Sequence, residues 1–141
     1  MPGDADRVTA LDSSVAVPLL VETHDDNAIV SVWARGRLLA FPGHSLAETY
    51  SVLTRLPESA RLAPADAVRL LDDGFAPPLL IRPKTAKDLP SLLAARGVSG
   101  GAVYDALVGL AAVENGCVLA TRDGRARATY EALGVQVEVV S

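Results

Sequence analysis

The sequence predicts an α/β fold: a mainly parallel, five-stranded sheet covered by helices on both faces, in three layers. Two observations carry this. Short runs of β-forming residues alternate with helix-patterned stretches along the chain, the alternation of parallel strands joined by crossover helices. Half of the 141 residues are hydrophobic and 21% are charged, which suits a packed core and argues against disorder. With no repeat, low-complexity tract or interior linker, residues 1–141 are expected to form a single domain.

Taken in order, "RVTAL" (7–11) reads as the first strand, and "SVAVPLLV" (14–21) as a short helix that Pro18 should interrupt. "NAIVSVWARG" (27–36) is helical, "RLLAF" (37–41) the second strand, and "LAETYSVLTRL" (46–56) a helix. Pro64 opens the helix "PADAVRLLDDGF", since proline suits a first helical position. "LLIRP" (79–83) is the third strand and "TAKDLPSLLAARG" a further helix. The apolar run "GGAVYDALVGLAAV" (100–113) is helical, with Ser99 as its cap and "ENG" (114–116) as its stop. "CVLAT" (117–121) is the fourth strand, "GRARATYEALG" the last helix, and "VQVEVV" (135–140) the closing strand.

Composition excludes several classes. The single cysteine, Cys117, rules out an intrachain disulfide framework and is expected to be a small buried hydrophobe. No run reaches the length of a membrane span, and the acidic start "MPGDADRV" lacks the features of a signal peptide. A soluble protein of the reducing cytoplasm is the expectation. A net charge of −4 argues against nucleic-acid binding through a broad basic surface. It leaves room for a nucleic-acid enzyme whose acids are gathered at one metal site.

Asp105 is the one charge in the run 100–113. A helix apolar nearly all round should be buried, and a carboxylate there needs a partner or takes up a proton. Ligand sites of parallel sheets lie at the carboxyl ends of the strands. Asp12 follows the first strand and Asp123 the fourth, while Glu48 stands one turn into the helix after the second. With Asp105 they make four acids from four segments, all able to meet at one sheet edge. Gathered carboxylates repel one another and favour a cation, and an all-oxygen set selects Mg2+ or Mn2+. Phosphodiester hydrolysis is the chemistry such ions support. Structural roles are open for each acid: helix caps for Asp12 and Asp123, the capping box "SLAE" (45–48) for Glu48, and a buried salt bridge to Arg122 for Asp105. Ser14 and Thr121 reach the same edge, either to orient a carboxylate or metal water or to cap their own turns. Arg122, Arg125 and Arg127 follow the fourth strand, as a grip on flanking phosphates or as a solvated helix face.

"LDSSVAV", "LAETYSVL", "GGAVYDALVGLAA" and "LATRDGRA" occur in the order of the PIN-domain family, and most resemble the VapC-type toxins of bacterial toxin–antitoxin pairs. The resemblance covers essentially the whole chain. It implies a sheet ordered 3-2-1-4-5 and an endoribonuclease using Mg2+ or Mn2+. Asp12, Glu48, Asp105 and Asp123 take the four acidic places, so none is missing. Ser14 falls at the small polar position after the first acid, and Thr121 at the hydroxyl before the fourth. The family further implies a homodimer, or a heterotetramer with a small cognate antitoxin, whose apolar seat would come from "SVAVPLLV" and the helices between 46 and 75.

Other functions fit less well. A phospho-receiver wants an acceptor Asp after the third strand and a Lys after the fifth, where "LLIRPK" and "EVVS" stand. A haloacid-dehalogenase-like phosphatase wants a second Asp where Ser14 is. A housekeeping PIN nuclease of RNA processing, or a PIN domain that binds RNA or a partner without cutting, shares the whole framework; four intact acids count against the silent form.

Overall fold

Residues 7–141 are described by a computed structural model. The expectation drawn from "MPGDADRV" falls mostly on residues 1–6, outside the described ones. The elements are β1 (Val8–Leu11), α1 (Ser13–Leu20), α2 (Asn27–Ala34), β2 (Leu38–Ala40), α3 (Gly43–Thr54) and α4 (Pro64–Asp72). Then come α5 (Pro83–Lys87), α6 (Leu89–Ala95), α7 (Ala102–Glu114), β3 (Val118–Thr121), α8 (Gly124–Ala132) and β4 (Val137–Val139).

The strands are parallel and lie in the order β2-β1-β3-β4. Successive residues of a strand face opposite sides, and the core divides accordingly. Ala10 and Leu119 pack with α6, α7 and α8, whereas Leu11 and Ala120 pack with α1 to α4. This gives the three layers.

The expected strand 79–83 is the main departure. Only Leu79 pairs, in a parallel bridge with Pro42 beside β2. Leu79 donates to the Phe41 carbonyl (2.8 Å) and accepts from Gly43 N–H (2.9 Å). Pro77 and Pro78 before it and Pro83 after it have no N–H for a ladder, and Pro83 begins α5. The order 3-2-1-4-5 therefore survives, with its third place reduced to one bridge.

Smaller departures follow from the same kind of local chemistry. Pro18 does not stop α1, which runs on to Leu20; Asn27 Nδ2 then donates to the Pro18 and Leu19 carbonyls at 2.9 and 3.2 Å. The helix expected from residue 46 starts at Gly43, directly after Pro42. The helix expected over 85–97 is two short ones, divided at Asp88 just before Pro90. Ser99 does not cap α7; Gly101 precedes it, without a side-chain cap. Gly116, at φ +67°, ends α7 where the stop was expected. Within α7, a Cβ at Gly109 would lie 3.0 Å from Val135 and 3.2 Å from Tyr130, so glycine there sets how closely α7 and α8 approach. Cys117 is half-buried against the α7–α8 core rather than enclosed by it. Among the described residues, no helix is long and apolar enough to cross a membrane.

Candidate active site

Strand register brings the first acid to the sheet edge. Leu11 pairs with Ala120, and Asp12 N–H then donates to the Ala120 carbonyl, so Asp12 stands beside Thr121. Asp12 is also the N-cap of α1, accepting from Ser14 N–H at 3.1 Å. Capping and a place at the carboxyl edge of the sheet thus coincide in one side chain.

Asp12 is only 5% exposed, and its carboxylate is surrounded by donors. Oδ1 accepts from Ser14 Oγ (2.5 Å), and Oδ2 accepts from Thr121 Oγ1 (2.5 Å) and Tyr130 OH (3.0 Å). Each hydroxyl in turn accepts from the turn after β3: Arg122 N–H donates to Ser14 Oγ (2.7 Å) and Asp123 N–H to Thr121 Oγ1 (3.0 Å). A hydroxyl has one proton, so both protons are committed to Asp12 and the 3.3 Å approach of Ser14 to Thr121 is only a contact. Both residues therefore orient the carboxylate and brace a turn at once. Burial raises the pKa of Asp12, and the bonds from Ser14, Thr121 and Tyr130 offset part of that rise. Burial and the Asp12 charge push the Tyr130 phenol far above its usual range, so it stays a donor.

Asp105 stands half-buried in the first turn of α7. Its pKa is raised, first by burial, then by the charges of Asp123, Glu48 and Asp12; His44 pulls the other way. The other three acids are thus within electrostatic reach of Asp105. The salt bridge to Arg122 does not form, because the Arg122 guanidinium lies 3.1 Å from Asp26 instead.

The capping box at 45–48 is absent as well. Since α3 begins at Gly43, Ser45 lies inside the helix, fully buried, and its Oγ donates to the Leu11 (2.7 Å) and Pro42 (3.0 Å) carbonyls. That bond fixes the start of α3 against the end of β1, hence Glu48 relative to Asp12. Glu48 lies 3.2 Å from His44 Nε2, one turn back. Asp123 caps α8: its Oδ1 accepts from Arg125 N–H (2.9 Å) and Ala126 N–H (3.4 Å). Of the expected arginine rim, Arg122 is held by Asp26 and Arg127 pairs with Glu131 (3.0 Å), while Arg125 is exposed at the start of α8. Two of the three expected arginines thus have carboxylate partners.

Two residues escaped the sequence reading. Tyr130 is core except for its hydroxyl, and nothing in "ATYEAL" marks it. His44 carried a signal in its i, i+4 spacing to Glu48.

Among the described residues, no three of His, Cys, Asp or Glu are already close enough to enclose an ion. An ion held by these acids would require side-chain movement; Glu48 is half-exposed and Asp123 exposed.

Comparison with known proteins agrees with this geometry. Residues 9–132 match the PIN domain family model. Ribonuclease VapC27 of Mycobacterium tuberculosis is 58% identical over 132 residues, covering 94% of this chain and 96% of that protein. Ribonuclease VapC40 of the same species is 42% identical over 133 residues, covering 94% and 98%. At the level of fold, VapBC2 from Rickettsia felis, solved bound to a DNA fragment from its promoter, aligns with a TM-score of 0.64 over 95% of this chain and 99% of that one, at 15% identity. A family match over most of its length, and relatives this similar from end to end, mean that this chain belongs to the PIN domain family, within its VapC ribonuclease branch.

Proposed function

We propose that the chain is a divalent-metal-dependent endoribonuclease, the toxin of a toxin–antitoxin pair, which hydrolyses RNA phosphodiester bonds at Asp12, Glu48, Asp105 and Asp123. The observation that carries this is Asp105: a half-buried carboxylate without a salt bridge among the described residues, its pKa raised first by burial and then by the charges of three further carboxylates from separate segments. A structural acid would have a cationic or hydrogen-bonding partner. The all-oxygen donor set fits Mg2+ or Mn2+. Such an ion supplies a water of lowered pKa and neutralises charge developing on the phosphate. In this proposal Asp12, Asp105 and Asp123 hold the ion, with Glu48 as a direct or water-mediated ligand. Ser14, Thr121 and Tyr130 fix the angle of the Asp12 carboxylate, and Arg125 binds a flanking phosphate.

A cytoplasmic protein built as one domain over residues 1–141 accords with this role, either as a homodimer or as a heterotetramer with its antitoxin. An apolar groove of about 380 Å³ suits the antitoxin; it is lined by Leu20, Val21, Leu53, Leu56, Leu62 and Leu70, on the segments expected to seat one. To test the activity, the purified chain is incubated with a cellular transcriptome in Mg2+, in Mn2+ and in EDTA, and the cut ends are mapped. Discrete cuts leaving 5′-phosphate and 3′-hydroxyl ends, only with metal, are expected. Cutting in EDTA, or undiminished cutting by Asp105→Asn, overturns the assignment.

A further inference from the structure

We propose that His44 and Tyr104 form a stacking platform on which one unpaired base of the RNA substrate lies as a further layer, next to the carboxylates. This deepens the ribonuclease reading and rests on it. The two rings are already stacked, with centroids 5.3 Å apart and planes inclined by 19°. Tyr104 remains 58% exposed on α7, whereas Ala106 and Val108, two and four residues on, are buried. A lone exposed tyrosine calls for no explanation. This one is paired with a histidine that also contacts Glu48, and it directly precedes Asp105. The platform therefore borders the acids from two elements, α3 and α7.

The charge balance explains why a base, rather than a phosphate, is the group held there. The chain carries a net charge of −4, and two of the three arginines after β3 are engaged by Asp26 and Glu131. The arginine left for a flanking phosphate, Arg125, stands on α8 rather than beside the two rings, and away from a bound ion the acids repel any other phosphate. The face of a base is neutral, and bases of single-stranded RNA stack on Tyr and His side chains. A stacked base also selects unpaired segments, because a base inside a helix has no free face. The platform thus confers both hold and preference for single strands.

The test uses a short single-stranded oligoribonucleotide spanning a cut site of the wild-type chain. Tyr104→Ala should raise KM roughly 5- to 150-fold, the range that loss of one base–aromatic stack implies, with kcat changed far less. Tyr104→Phe keeps the ring and should restore KM. Abasic substitution along the oligonucleotide should reveal one position where removing the base raises KM for the wild type but adds nothing in Tyr104→Ala. If Tyr104→Ala folds poorly, 2-aminopurine at that position decides, being quenched on binding to the wild type if stacked and remaining bright if not.

Cleavage with unchanged KM in Tyr104→Ala and no coupled abasic position sinks the platform and leaves the nuclease standing. A change in sedimentation with unaltered RNA binding assigns the rings to a protein contact and overturns it too. If the wild type neither binds nor cuts RNA, both readings fall together.

Discussion

Helix α7 carries an acid near each end, and the two behave oppositely to what the helix alone dictates. Asp105, in the first turn, enjoys the favourable end of the helix dipole; Glu114, the last residue, stands at the unfavourable end. Yet the pKa of Asp105 is raised and that of Glu114 is lowered. The dipole contributes about 0.3–1 kcal/mol near a terminus and is outranked here by neighbours. Asp105 faces desolvation and three carboxylates. Glu114 is also desolvated, but Thr85 Oγ1 (2.5 Å) and Arg82 N–H (2.9 Å) donate to it and the Arg82 side chain adds its charge. One end of the helix gives a carboxylate structural partners; the other withholds them.

Asp105→Asn should produce the largest effect and one that Glu114 cannot imitate. Cleavage should fall by more than about 100-fold, since residues that merely orient a metal ligand are worth about 10–100-fold. Melting in EDTA should be unchanged or higher. Below pH 3.8 Asp105 is protonated in both folded and unfolded chains. Above that value the unfolded chain releases the proton first, so the stability that Asp105 contributes declines as pH rises through its raised folded pKa. The amide removes that decline. Melting far below the wild type with cleavage intact would mean Asp105 is a structural acid like Glu114.

Tyr130→Phe comes next, because it removes one donor from Asp12 and leaves the packing of the ring. A loss of about 10–100-fold in cleavage is expected, as for an outer residue that orients a ligand, with the fold retained. Unchanged kinetics in Mg2+ would show that Ser14 and Thr121 hold Asp12 without help.

Glu48→Gln is predicted to lose about tenfold or more in Mg2+-dependent cleavage, because the amide lacks the charge that holds a hard cation. Stability should hardly move. The pair with His44 is partly exposed, and surface pairs contribute about 0–1 kcal/mol. Wild-type rates across a Mg2+ titration would remove Glu48 from the site and leave three aspartates.

These acids were legible because their places depend on topology. An Asp directly after a parallel strand must reach the carboxyl edge, so Asp12 and Asp123 followed from strand alternation alone. The third-strand segment was less legible: "LLIRP" has strand composition, but Pro77, Pro78 and Pro83 bound it and Arg82 N–H is taken by Glu114, so pairing stops at the Leu79 bridge. Glu48 was ambiguous because "SLAE" is a good capping sequence, and only the earlier start of α3 at Gly43, after Pro42, removes that role. Tyr130 and the Arg122–Asp26 pair were invisible because both depend on side chains 118 and 96 residues from their partners. Spacing along the chain predicts where a backbone goes better than which long side chain meets which.

The smallest effect belongs to the far end of α7 and tests the contrast from the other side. Glu114→Gln should leave RNA cleavage at the wild-type rate while lowering stability at neutral pH by about 1 kcal/mol, the usual net worth of a hydrogen bond. The pH dependence has the sign opposite to that of Asp105. With its folded pKa below the unfolded 4.5, Glu114 contributes stability that is complete above 4.5 and is lost as pH falls through the folded value. Acid titration of the melting temperature should therefore show a falling limb in the wild type that is weaker in the variant, and the two proteins should converge at low pH. Equal limbs would mean that Thr85 and Arg82 hold the neutral acid as well as the carboxylate. A loss of cleavage would mean that the C-terminal end of α7 is not independent of the site its first turn supports.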